Sequence, residues 1–275
     1  MRSSAILLCC LLAIFLGENI SEAESPKDTK DMLRIPGGVF FMGCNRDLDL
    51  KCQGDERPGH RVMLKKFWMD RHEVTGADYK RCVAAGACSR PAEKENCNHQ
   101  RSDADQHPVN CVSWHQADRY CRWAKKRLPT EAEWEKAARS DDGRSYPWGQ
   151  KAPSCEQAVM VSTDGGCGSG RTSPVCSKPS GNSPYGLCDM AGNVWEWTAD
   201  WYQADLYLGQ DQRNNPKGPA QGKRRVLRGG SLYGIAKYLR TANRDADPPR
   251  KRDDAVGFRC AADAPPGGRT PGGRM

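Results

Sequence analysis

The sequence predicts a single α+β domain, rich in disulfides and low in regular secondary structure. Three observations agree with it, though they would not identify the fold alone. Helix-capping patterns recur at Thr75-x-x-Asp78, Ser113-x-x-Gln116 and Thr130-x-x-Glu133, each opening a short helix. Val194 to Thr198 alternates with period two, with Trp195 and Trp197 on one face and Val194, Glu196 and Thr198 on the other. The 28 Gly and 18 Pro among 275 residues fill long turns and loops. Hydrophobic residues make up 37% and mean hydropathy is −0.78, so the core leans on aromatics, including 8 Trp. The length suits one large domain or two small ones.

Met1 to Ala23 reads as a secretory signal peptide, with a basic Arg2, an apolar run from Ala5 to Gly17 and a small-x-small site at Ser21-Glu22-Ala23. That run is shorter than the roughly 20 apolar residues of a spanning helix. No transmembrane span is expected, and a secreted or periplasmic location is. Lipidation at Cys9 or Cys10 is disfavoured, because neither follows a small residue. Residues 24–33 read as a polar linker, 34–262 as the domain, and 263–275, with its repeated Gly-Gly-Arg, as a disordered tail.

Within the domain, Val39 to Met42 should be a strand after the Pro36-Gly37-Gly38 turn, and Cys44 to Pro58 a loop. Val62 to Met69 should be a strand pair or one bent strand. Thr75 opens the first helix, whose inner face carries Tyr79, Cys82 and Val83, and Gly86 ends it. A long stapled loop follows to Gln106. Ser113 opens the second helix, with Trp114, Ala117, Tyr120, Cys121 and Ala124 inward and His115 outward. Thr130 opens the third. Residues 140–184 lack periodicity and read as loop with short strands. Beyond the Trp strand, 202–222 is a polar excursion. Val226 to Ser231 and Ala255 to Ala261 are the last expected strands.

Of 14 cysteines, Cys9 and Cys10 fall in the leader. The even remainder, in an exported chain, argues for a disulfide framework. There is no paired CxxC for zinc. Local bridges Cys44–Cys52, Cys82–Cys88 and Cys97–Cys111 suit the spacing. The net charge of +8 permits attraction to acidic surfaces but names no partner. Lys223-Arg224-Arg225 and Arg250-Lys251-Arg252 are short, solvated runs, so no nucleic acid is expected.

The densest stretch is Gly186 to Trp201, GLCDMAGNVWEWTADW. Ala191-Gly192-Asn193 reads as a turn that uses positive φ. Asp189 lies before it and Glu196 after it. Glu196 can turn back toward Asp189 and the freed carbonyls, an oxygen set that suits calcium. The same residues also suit a core strand whose Glu makes a salt bridge or caps a turn.

This stretch resembles the signature of the formylglycine-generating enzyme (sulfatase-modifying factor) family. Other blocks follow in the family's order: IPGGVFFMG at Ile35, HRVMLKKFWMDRHEVT at His60, HPVNCVSWHQADRYCRWAKKRLPTEAEWEKAAR at His107, YPWG at Tyr146, NPKGP at Asn215, RVLRGGS at Arg225 and VGFRC at Val256. The resemblance covers about Ile35 to Ala262. It implies an α+β fold like that of C-type lectins, and a bridge between Cys121 and Cys260. Cys155, Cys167, Cys176 and Cys188 then supply two more, in an open pairing. It also implies calcium at Asp189, Gly192, Val194 and Glu196. Glu73 is expected to be an ordinary surface glutamate, though the resemblance marks it as a contributor to that site. A second family calcium site calls for an Asn where this chain has Gln157-Ala158-Val159, with Asp164 beyond.

Family enzymes that make formylglycine hold copper with two cysteines, three and eight residues beyond the Ser of RGGS. Soft thiolates select Cu(I). Here those positions are Gly234 and Leu239, and no cysteine lies between Ser231 and Cys260. Relatives that join sulfur to carbon use iron held by histidines. The five here, His60, His72, His99, His107 and His115, show no clustered pattern. Neither copper nor iron is therefore expected. Ser231 also lacks the strand–elbow–helix context of a serine nucleophile. Arg228, Gly229, Gly230 and Ser231 are expected to set a turn beside the former active groove, anchored by Arg259. Three functions follow: an exported, calcium-stabilised module that binds a peptide or protein or acts as a scaffold, an oxidoreductase with unidentified ligands, or an inert disulfide-rich structural protein. Oligomeric state is left open.

Overall fold

The computed structural model describes residues 31–49, 51–161, 167, 170–209 and 213–265. The expected leader, Asp164 and most of the expected tail lie outside them. In chain order the described elements are β1 (Met32–Ile35), β2 (Gly38–Met42), β3 (His60–Leu64), β4 (Phe67–Asp70), α1 (Gly76–Ala84), α2 (Trp114–Trp123), α3 (Glu131–Arg139), β5 (Trp195–Trp201), β6 (Arg225–Arg228), β7 (Asp245–Asp247), β8 (Val256–Gly257) and β9 (Ala261–Ala262). They form three small sheets, ordered β1-β4-β9, β2-β3 and β7-β6-β5-β8.

Each helix starts at its expected cap. The hydroxyls of Thr75, Ser113 and Thr130 accept from the amides of Asp78, Gln116 and Glu133, and each of those side chains returns a bond to its cap. Each reciprocal pair satisfies two amides that have no helical partner. Gly86, in the left-handed region at φ 69°, follows the end of α1. The Val62–Met69 segment is a strand pair, β3 and β4.

Three expectations are corrected. The linker ends earlier than residue 33, since Met32 and Leu33 pair with Asp70 and Met69 in the β1–β4 ladder. The closing strand is two strands. Gly257 pairs in parallel with Glu196 of β5, whereas Ala261 pairs with Met69 of β4, so the segment leaves one sheet to join another. Third, β7 was not expected. Its Asp-Ala-Asp sequence is too short for alternation to mark a strand, and pairing with β6 defines it.

β5 lies between β6 and β8 in its sheet. Trp197 joins a core with Tyr79, Val112, Ala117, Cys121 and Phe258, and Trp195 packs against that core. The opposite face is buried too, at Val194, Glu196 and Thr198. A second core joins Phe40, Val62, Phe67 and Met69 to Trp134 and Ala137 of α3. α3 contacts β2, β3, β5 and β6, and all nine of its residues are buried.

Six disulfides tie the loops down: Cys44–Cys52, Cys82–Cys88, Cys97–Cys111, Cys121–Cys260, Cys155–Cys167 and Cys176–Cys188. The last two settle the pairing left open by the spacing. Such a framework is consistent with an oxidising compartment. Among the described residues, no helix is long and apolar enough to cross a membrane.

Candidate functional site

The turn before β5 is built from left-handed residues: Asp189 at φ 55°, Gly192 at 84° and Asn193 at 59°. Glycine is required at 192 on a second count. A Cβ there would lie 2.4 Å from the Val159 carbonyl oxygen. That carbonyl accepts the Asn193 amide at 2.9 Å. Asn193 Nδ2 donates to Glu73 Oε1 (3.2 Å) and to the Ser173 carbonyl (3.3 Å), while its Oδ1 accepts the Ser173 amide (3.0 Å). Asp189 Oδ2 accepts the Cys176 amide at 2.6 Å.

Glu73 is not a surface residue. It is fully buried, and its Oε2 meets no donor. Burial, and then the neighbouring Asp189 carboxylate, push the Glu73 carboxyl well above the usual range, and burial raises Asp189 as well. Its burial was invisible in the sequence, because it depends on partners at 189, 193 and 259.

Glu196 behaves differently from the expectation that it turns back to Asp189. Its Oε2 accepts from Arg259 Nε (2.8 Å) and Trp134 Nε1 (3.0 Å), and its Oε1 accepts from Arg259 Nη2 (2.7 Å). A guanidinium grips a carboxylate best in this two-pronged way. Arg259 also donates to the carbonyls of Cys188, Asp70 and Arg71. None of these partners lies in the 228–231 turn that it was expected to anchor; it ties the Asp189 segment to β4 and β5 instead. The carboxylate beside Asp189 is thus Glu73, with Glu196 held behind it by Arg259.

At Gln157-Ala158-Val159, which departs from the family's pattern for a second calcium, Gln157 Oε1 accepts from Ser154, and the Val159 carbonyl is engaged by Asn193. Among the described residues, the one group of three ligating side chains within 4.8 Å is Cys44, Asp49 and Glu56. It does not fit a metal. The sulfur is bridged to Cys52, and both carboxylates grip Arg240. No described histidine belongs to such a group.

The two copper positions of the family still face each other. A Cβ on Gly234 would lie 2.8 Å from Leu239 Cδ1 and 2.9 Å from the Ser231 carbonyl oxygen. Leu239 is fully buried against Tyr146, Ala158, Met160 and Ala191. The space between the positions is therefore hydrocarbon, and every described cysteine is in a disulfide. Copper does not fit these donors. Gly229 (φ 99°) and Gly230 (φ 75°) form the expected turn, and the flanking Arg228 and Ser231 are buried, as is Arg259. The solvent-facing rim is Val161, Tyr233, Ile235 and Tyr238, which no periodicity in the sequence marked.

A lectin-like α+β fold, an acidic Gly-Asn turn before a Trp strand, and a facing pair of positions beyond Arg-Gly-Gly-Ser define the formylglycine-generating-enzyme class of proteins. The chain belongs to the sulfatase-modifying factor enzyme 1-like domain family, whose pattern matches residues 18–264. It is 34% identical to the formylglycine-generating enzyme of Mus musculus, over 89% of this chain and 78% of that one. It is 30% identical to hercynine oxygenase of Mycolicibacterium smegmatis, over 83% of this chain and 60% of that protein. Its fold is similar to that of PvdO from Pseudomonas aeruginosa, with a TM-score of 0.73 and 27% identity, covering 85% of this chain and 94% of the other.

Proposed function

We propose that this chain is an exported, calcium-stabilised module that binds a peptide or protein segment, or serves as a scaffold, and does not make formylglycine. Leu239 carries the reading. Its side chain fills the space into which a residue at 234 would point, and it offers no donor. Thiolate chemistry of the copper kind needs two sulfurs there.

Calcium suits the acidic turn. Glu73, Asp189 and Glu196 bring three carboxylates against the one guanidinium of Arg259, and a divalent cation would let all three ionise by balancing the two surplus charges. Asp189 and Glu73 would be the side-chain ligands, with the carbonyls of Gly192 and Val194 and with Glu196 behind them. These are hard oxygen donors. The orphaned Glu73 Oε2 supports this, because a buried acceptor without a partner is costly. The exposed Val161, Tyr233, Ile235 and Tyr238 offer an apolar contact surface above the sealed position. The leader-like 1–23 segment and the six disulfides support export.

A second reading, an oxidoreductase with other ligands, draws on the similarity to hercynine oxygenase. One experiment separates the two: metal analysis of the purified protein beside an assay of oxidation of a cysteine-containing sulfatase peptide. Stoichiometric calcium with no copper, no iron and no aldehyde product is expected. A bound redox metal, or a thiol converted to aldehyde, overturns the proposal.

A further inference from the structure

The acidic turn has a side wall, residues 171–177. Noncovalent contacts hold it in place: the Cys176 amide on Asp189 Oδ2, the two-way pairing of Ser173 with Asn193, and Thr172 Oγ1 against His107 Nδ1 and Asn98 Nδ2. One covalent link adds to them, the Cys176–Cys188 bridge. Both of its ends touch the site. Cys176 supplies the amide that Asp189 accepts, and Cys188 directly precedes Asp189 and gives its carbonyl to Arg259. The bridge thus fixes both the left-handed Asp189 and the group that orients its carboxylate.

We propose that the Cys176–Cys188 disulfide is a thiol-controlled latch on the cation-binding turn, and that its reduction frees the 171–177 wall and weakens divalent-cation binding. The inference rests on the calcium reading above. Without the link, the wall is held only by hydrogen bonds that compete with water, each of small net worth. A site whose ligands are no longer held in place binds more weakly. The reductant is a dithiol. One of its thiolates attacks Cys176 sulfur and expels Cys188 as a thiolate, and its second thiol then resolves the mixed disulfide. The protein disulfide gains two electrons and two protons, and the dithiol becomes a disulfide. Cys176 is half-buried and Cys188 fully buried, so attack enters at Cys176.

Calcium titration of the full mature chain by calorimetry tests this, comparing wild type, C176S/C188S and C82S/C88S. The last pair closes the end of α1 and touches none of the acidic residues. Losing the Cys176–Cys188 bridge should weaken calcium by about tenfold or more, within the usual range of coupling between sites, whereas C82S/C88S should leave it unchanged. Unchanged affinity in C176S/C188S overturns the latch. Should that variant not fold, wild type is treated with a dithiol and the freed thiols are alkylated and mapped. At equilibrium with a fixed ratio of dithiol to its disulfide, linkage is reciprocal, so calcium should lower the reduced fraction of Cys176 and not that of Cys82. An equal drop at both, or none, overturns it. Oxidised wild type that binds no calcium at all overturns the calcium reading itself, and the latch with it.

Discussion

Leu239 and Gly234 act as a matched pair, one side chain large because the other is absent. Placing Cys at 234 alone puts its Cβ 2.8 Å from Leu239 Cδ1, and overpacking of this kind costs about 1–3 kcal/mol. Gly234→Cys should therefore lower the melting temperature. Gly234→Cys with Leu239→Cys relieves the contact with Leu239, leaves the one with the Ser231 carbonyl at 2.9 Å, and supplies two facing thiolates. The double variant should bind Cu(I) in a chelator competition where wild type does not. Asp200 is a second informative residue. Burial, then the nearby Glu131, push its carboxyl up to about 8. A folded-state pKa above the unfolded value means stability is full below the ordinary aspartate range and is lost as pH rises toward about 8. Asp200 Oδ2 accepts the Glu131 amide at 2.8 Å, a bond that an asparagine oxygen can also accept. Thermal melts of Asp200→Asn and wild type should converge near pH 4 and separate by pH 9, with the variant more stable by a few kcal/mol, on the order implied by such a shift. Parallel curves would count against this account.

Among the elements, α3 shows what local sequence can and cannot reveal. Its start was legible, since a capping box is complete within four residues. Its surroundings were not. Glu131, Glu135, Lys136 and Arg139 look like a solvated face, yet all are buried. The two glutamates reach partners far along the chain: Glu135 binds Arg228, besides Arg139 on the same helix, and Glu131 binds Arg244. Burial that depends on residues about a hundred positions away leaves no trace in periodicity, and the same reason hid Glu73. Strands β1 and β7 escaped notice because pairing alone defines them. Two variants compare the contributions in denaturant. Thr130→Ala loses one cap and should cost about 1 kcal/mol. Arg228→Met leaves Glu135 with one cation fewer and strips a donor from the Thr241 and Asn243 carbonyls, and should cost about 3–5 kcal/mol. Equal midpoints would show that the buried network contributes little.

For the whole molecule, the ordered family blocks made the architecture legible, because many short motifs recur along one chain. The bridges then set how the ends are held. Cys121–Cys260 closes a span of 139 residues and Cys82–Cys88 one of 6. In a chain-entropy picture the longer loop is worth about 5 kcal/mol and the shorter about 2. C121A/C260A should therefore fall further in melting temperature than C82A/C88A. The remaining bridges span between 8 and 14 residues, so five of the six join near neighbours. This sets a timetable for a chain that emerges N-terminus first. The short loops can oxidise as they appear, whereas Cys121 must wait, unpaired, for a partner among the last residues made. Throughout that wait, later cysteines pass it as wrong partners. A correct product then depends on something that keeps one thiol in reserve, or that reopens early mistakes.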